Sequence, residues 1–256
     1  RPDLAVLIVA GDIDEKTAMK LAEESLGAWR AKGPKPQKEL PPIAKPGKTH
    51  IYLVDQPGST QSQIVVGQLG ITRKNPEYYV SRIVSSYFGW GFDSRLNKSI
   101  RVKKGLTYGV WGSFIAQRFA GDFRVETFSK TETTGQAVQA VLDEIANLRK
   151  VGPSDEELEC TRSYMLGSFV GARETPQQIA NDLWLIESQG LSDDYLERLL
   201  AAVAKTTKND CEKAVRNTLE PGNEIVVVVG QASQLKADLE KIAPVTVVTL
   251  AANKKT

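Results

Sequence analysis

Residues 94–110 read SRLNKSIRVKKGLTYGV, and the change of rhythm at Gly105 decides what kind of fold follows. Ahead of the glycine, a short basic helix runs from about Asp93, a suitable N-cap, to Lys104, and Gly105 stands where a C-terminal cap belongs. Beyond it, Leu106 to Gln117 alternate as a strand, and so do Asp122 to Lys130, with Phe119-Ala120-Gly121 as their turn. A helix running at once into a hairpin is an α+β signature. Taken singly, the residues of this stretch have structural roles. Arg101 complements the helix dipole, Tyr108 is a strand aromatic that packs, and Lys103 with Lys104 form a solvated face.

Outward from this stretch, the chain alternates between strand and helix on its N-terminal side. Leu4 to Ala10, LAVLIVA, is a continuous apolar run that predicts a buried strand. Asp14 to Trp29 then places Ala18, Leu21, Ala22, Leu26 and Trp29 at helical spacing. Residues 31–47 hold five prolines and two glycines among many lysines, a linker composition. The runs THIYLVDQ and TQSQIVVGQLG, parted by Pro57-Gly58, read as two strands, and Tyr78 to Phe88 as a helix that Gly89-Trp90-Gly91 breaks. On the C-terminal side, helices are expected over 133–150, 154–173, 176–190, 192–204 and 207–219. Glu224 to Val229 follows as a buried strand, and then a helix runs to Ile242.

The two ends resemble each other. LAVLIVAGDIDEKTAMKLAEESLG and EIVVVVGQASQLKADLEKIAP each combine an apolar strand, a glycine at its end and a helix soon after. Gly11 and Gly230 stand about 220 residues apart, which suits a large internal repeat. On that reading residues 1–30 are the last strand-helix unit of a preceding copy, 31–47 the linker and 48–256 a whole second copy. The strand at Leu4 to Ala10 has then lost its own sheet, so it should add to a neighbouring molecule's sheet or pack abnormally.

Composition removes several function classes. At 41% hydrophobic and 25% charged, with a net charge of +2, the chain is globular and lacks the basic excess of a nucleic-acid binder. Its apolar runs are strand-length, too short to span a bilayer. Two cysteines, Cys160 and Cys211, make no disulfide framework and read as structural thiols. His50 is the sole histidine, so neither a Ser-His-Asp triad nor a His-Glu-x-x-His site has its ligands here, and His50 reads as a surface residue. Gly89-x-Gly91 lacks the remaining residues of a phosphate-binding fingerprint. The opening Arg1-Pro2-Asp3 suggests a processed chain or fragment. The compartment is therefore not legible, beyond the expectation of a soluble chain of bacterial-type cytoplasm or periplasm.

Residues 93–108, DSRLNKSIRVKKGLTY, resemble a segment in the non-catalytic halves of the inverzincin zinc metallopeptidases, the pitrilysin, insulysin and mitochondrial processing peptidase family. The resemblance continues through PSDEELECTRSYMLGSF, ETPQQIANDLW and QGLSDDYLERLLAAVAKTTKNDCEKAV to EIVVVVG, and takes in LIVAGDID at the front. It implies an α+β fold of five or six mostly antiparallel strands covered by helices, one half of a duplicated peptidase. It further implies that Arg101 and Tyr108 reach the zinc site of the other half, Arg101 orienting the peptide substrate and Tyr108 donating to an oxyanion. Val102 departs from the family's usual glutamate, which bears on how the helix end is anchored.

No His-x-x-Glu-His segment exists here, so the resemblance implies a chain that is inactive alone and holds no zinc. The metal is expected in a catalytic half, in the same precursor or in a separate subunit, with a homo- or heterodimer as the assembly. Two rival functions remain: an assembly subunit similar to respiratory core proteins, and a peptide-binding scaffold that uses a sheet edge without proteolysis.

Overall fold

The computed structural model describes residues 1–36, 41 and 43–249. In chain order these form α1 (Glu15–Leu26), β1 (His50–Asp55), β2 (Gln61–Leu69), α2 (Tyr78–Gly89), a π-helix (Asn97–Lys103), β3 (Val110–Ile115) and β4 (Asp122–Lys130). Then come α3 (Thr134–Lys150), α4 (Asp155–Gly171), α5 (Pro176–Gln189), α6 (Tyr195–Lys205), α7 (Lys208–Thr218), β5 (Ile225–Gly230), α8 (Ala232–Leu239) and β6 (Val245–Thr249). The chain divides into two compact units, residues 1–44 with 166–195, and residues 45–165 with 196–256. Every strand among the described residues lies in the larger unit.

Its six-stranded sheet has the order β3-β4-β2-β5-β1-β6. The pairings β3 with β4, β4 with β2 and β2 with β5 are antiparallel, whereas β1 runs parallel to both β5 and β6. The expected α+β fold with a mostly antiparallel sheet is therefore present. Pro57-Gly58 does make a turn, with Gly58 at φ +80°, but β1 and β2 do not pair, because β5 lies between them.

Alternation along each strand puts one set of side chains inside. Ile51 and Leu53, Ile64 and Val66, Val110 and Phe114, Phe123 and Val125, and Val226 and Val228 are buried under helices. α2 packs on β3, α3 lies across β2 and β4, and α8 covers β1 and β6. The tightest approach joins Gly89, at the end of α2, to Gly112 in β3, where a Cβ on Gly89 would overlap the Gly112 backbone. A Cβ on Gly112 would itself sit 2.6 Å from Leu96 Cδ1. Two facing glycines thus set how deeply α2 sinks onto the sheet.

The smaller unit corrects one expectation. Leu4 to Ala10 form no strand: a 3-10 turn at Pro2–Leu4 leads into irregular backbone, and Leu4, Leu7 and Val9 are about half exposed. An apolar run becomes a strand only by pairing with another, and among the described residues these pair with none. The sixth strand is instead β6, VTVVT, which lies beyond the last helix and was not among the expected strands. α1 starts as expected, with Asp14 Oδ1 accepting the Thr17 N–H at 2.8 Å. α5 opens on the Thr175–Gln178 capping box and closes on Gly190 at φ +61°. Neither helix contains a buried residue. Within the expected linker, residues 37–40 and 42 lie outside the described residues.

Filling the glycine contact will force α2 off the sheet. Gly89→Ala is expected to cost about 1–3 kcal/mol, the usual range for overpacking a core, while Gly91→Ala, with open space around its Cβ position, meets no such steric obstacle and is disfavoured only by its positive φ. Urea unfolding followed by circular dichroism measures both, and an unchanged midpoint in Gly89→Ala would contradict the packing described.

Candidate functional site

The π-helix carries Arg101 in its last turn. Ser94, rather than Asp93, starts the helical segment: its carbonyl accepts the Lys98 N–H at 2.9 Å, and its own Oγ donates to the Gly91 carbonyl at 2.9 Å. The end is held by backbone. Gly105, at φ +64°, donates to the Arg101 carbonyl at 3.2 Å, and Leu106 donates to Ile100 at 3.1 Å. Val102, where the resemblance led us to expect a glutamate, is 64% exposed and takes no part in this closure.

The Arg101 guanidinium lies 4.6 Å from the ring centroid of Phe92 and has no ion-pair partner among the described residues. Tyr108 is not on the strand as expected. It occupies the bend before β3, 79% exposed, with no hydrogen-bond partner for its hydroxyl among the described residues. The two residues flank Gly105, and no hydrogen bond joins them. Arg101 therefore presents an uncompensated charge, and Tyr108 presents a free donor.

Arg95, four residues after Gly91, fastens this segment to the start of α4. Its Nε donates to Glu157 Oε1 and a terminal nitrogen to Oε2, both at 2.7 Å, while another terminal nitrogen reaches the Val151 carbonyl at 2.8 Å. The guanidinium also stacks 5.1 Å from the centroid of Tyr87, whose phenol is pushed up by burial. Burial alone would raise the Glu157 pKa. The hydrogen bonds from Arg95 and the Ser154 N–H, together with the Arg95 charge, outweigh it and hold the carboxyl below its usual value. Sequence reasoning missed this pair because its members are 62 residues apart and neither belongs to a spacing pattern.

Beside the pair, the end of α2 and the first half of α4 border a cleft of about 460 Å³ lined by Trp90, Phe92, Asp93, Cys160 and Tyr164 among others. Cys160 is exposed there, contrary to the expectation of a structural thiol. Cys211 is buried, and burial pushes its thiol up to about 12.

On the second face of the sheet the alternate residues are half-buried or exposed. Reading across the strands by register, Trp111, Glu126, Val65, Val227, Tyr52 and Thr246 form one outward row. Tyr52 is 40% and Trp111 49% exposed. β3, the strand that follows Tyr108, is one edge of the sheet.

The donor set does not fit a catalytic zinc. His50 Nε2 is 2.8 Å from Thr246 Oγ1, and its ring meets Tyr52 edge-on at 4.8 Å, so it is half-buried in a polar strand contact. Among the described residues no three His, Cys, Asp or Glu side chains are grouped to hold a metal.

Residues 1–165 match the peptidase M16 inactive domain. This chain belongs to that family. A crystal structure of a peptidase M16 inactive domain from Pseudomonas fluorescens is 28% identical and superposes with a TM-score of 0.77 over 86% of this chain and 52% of its own. The uncharacterized zinc protease YmxG of Bacillus subtilis is 24% identical over 174 residues, which cover 68% of this chain and 41% of that protein. A chain of complex III2 from Candida albicans shares the fold at a TM-score of 0.70 and 12% identity, over 92% of this chain and 57% of its own. The chain thus spans about half the length of the relatives it matches. Zinc is expected in the family.

The Arg95–Glu157 pair has a pH signature. Because folding depresses the Glu157 pKa, its contribution is present above the usual value of 4.5 and is lost as pH falls through the lower folded value. Melting temperature followed from about pH 6 down to about pH 2 should show a shallower acid decline in Glu157→Gln than in the parent chain. Parallel curves would remove the pair from the acid response.

Proposed function

We propose that this chain is the non-catalytic half of a zinc-dependent metalloendopeptidase, which closes a substrate chamber over a partner half and orients the peptide through Arg101 and Tyr108. The observation that carries the proposal is an exposed tyrosine hydroxyl without a hydrogen-bond partner among the described residues, seven residues after an arginine without an ion-pair partner, on the segment that leads into an edge strand in a chain of the inactive-domain family. Zinc in the partner half would supply Lewis acidity and an activated water. This chain's residues do the rest of the positioning. The always-charged Arg101 binds a backbone carbonyl of the peptide with its fork of donors. Tyr108 O–H donates to the oxygen of the attacked carbonyl, where negative charge develops. Neither residue breaks a bond, so activity requires the partner.

Residues 1–30 belong, in this reading, to the preceding half. What supports it is their likeness to the β5–α8 unit, the exposure of their apolar side chains and the doubled length of the relatives. In a protein that includes the upstream half, Leu4 to Ala10 would pair as a strand. Hydrogen exchange of those amides should then slow relative to the present chain, and equal exchange in both would count against the assignment.

A second reading, assembly without chemistry, is favoured by the fold shared with the complex III2 chain. Peptide cleavage by the chain mixed with its zinc-bearing half separates the two. Restored, chelator-sensitive cleavage is expected. In that assembly Tyr108→Phe should lower kcat about 10²–10³-fold, as removal of one oxyanion donor does. Arg101→Ala should mainly raise KM, by about tenfold or more, the worth of a hydrogen bond to a charged group. Absence of cleavage on mixing would leave the assembly reading standing, and unaltered kinetics in both variants would remove the roles given to Arg101 and Tyr108.

A further inference from the structure

We infer that Asn97, Thr107, Thr127 and Ser129 are positioning residues, which lock the backbone around Tyr108 so that its hydroxyl is presented at a fixed place; the inference rests on the proposed role of Tyr108. An exposed bend of Gly-Leu-Thr-Tyr-Gly would ordinarily be mobile. Here the carbonyls on either side of the tyrosine are each caught by a buried side chain. Ser129 Oγ donates to the Leu106 carbonyl at 2.8 Å. The Gly109 carbonyl accepts from both Thr107 Oγ1 and Thr127 Oγ1, each at 2.9 Å. Asn97 Nδ2 donates to the Val110 carbonyl at 3.1 Å and to the Gly91 carbonyl at 3.0 Å, joining the bend to the segment that leads into the Arg101 helix.

All four donors are buried, with exposures of 5% for Asn97, 8% for Thr107, 3% for Thr127 and 2% for Ser129. The sheet explains why they stand there. β4 pairs with β3 only as far as Thr127 opposite Val110, and continues to Lys130 beyond the start of β3. Its next inward position, Ser129, has no β3 residue opposite it. Polar side chains at Thr127 and Ser129 break the apolar inward series of Phe123 and Val125 at the place where the incoming bend needs donors. A hydroxyl-for-methyl exchange at Thr127 removes a bond without changing volume, so position can be tested apart from packing.

The test uses the chain assembled with its zinc-bearing half, and compares Thr127→Val, Thr127→Ser, Tyr108→Phe and the Thr127→Val/Tyr108→Phe double variant. Thr127→Val is expected to lower kcat about tenfold to a hundredfold through misplacement of the donor, with KM unchanged and with Thr127→Ser restoring the rate. In the Tyr108→Phe background it should have no further effect on kcat. Exchange of the Tyr108 and Gly109 amides should quicken about two- to tenfold in Thr127→Val, the worth of one hydrogen bond, and return to the parent rate in Thr127→Ser. Three results overturn the inference: amide exchange unchanged by Thr127→Val, a kcat loss of the same size with and without the Tyr108 hydroxyl, or a fall in kcat for Tyr108→Phe with none for Thr127→Val. An unchanged kcat in Tyr108→Phe instead overturns the reading of Tyr108, and the positioning role with it.

Discussion

One-sided burial of the sheet is the constraint on which the rest of the structure depends. Every second residue of each central strand enters one apolar core beneath helices, while the alternate residues stay half-buried or exposed. A slip of one residue in any strand would exchange its buried and open sets, so the core fixes register. Fixing register on the inner face fixes it on the outer face as well. The outward row from Trp111 to Tyr52 is therefore held in place without outward packing of its own. The facing glycines add the depth coordinate. With Gly89 seated on Gly112, the chain leaving α2 emerges at a set height above β3, and the segment that carries Phe92, Arg95 and Arg101 starts from there.

Much of this was legible in the sequence wherever a period was sustained. The hairpin of β3 and β4 follows from alternation, and the helices from α3 to α7 were expected close to where they lie. Pairing was less legible. Leu4 to Ala10 and β5 have nearly the same apolar pattern, yet β5 takes the centre of the sheet and Leu4 to Ala10 take no strand at all. Strand formation depends on an available edge, and residue pattern does not report edges. The same limit hid β6, whose five residues gain their strand only by lying parallel to β1.

The site was legible in part and for a different reason. Arg101 and Tyr108 could be singled out only through resemblance, since each has an adequate structural role when taken alone. Arg95 with Glu157 could not be found, because a contact across 62 residues leaves no local trace. Thr127 and Ser129 did leave one. Hydroxyls at inward positions of an otherwise apolar alternation need buried acceptors, and the acceptors turn out to be the carbonyls around Tyr108.

That arrangement bears on how two halves would meet under the proposed function. An exposed tyrosine hydroxyl bonded to water costs nothing before association. If a second half covers it without offering an acceptor, the unsatisfied donor costs about 1–3 kcal/mol. An uncompensated Arg101 would be penalised more, since a charge loses more hydration than a hydroxyl does. A peptide supplies carbonyl acceptors to both. Among the described residues the Tyr108 hydroxyl has no acceptor of its own, and Arg101 lies on the face of Phe92 without an ion-pair partner. Closure over an empty site is thereby disfavoured relative to closure over substrate. A half that performs no chemistry can in this way make the complete site depend on the presence of a peptide.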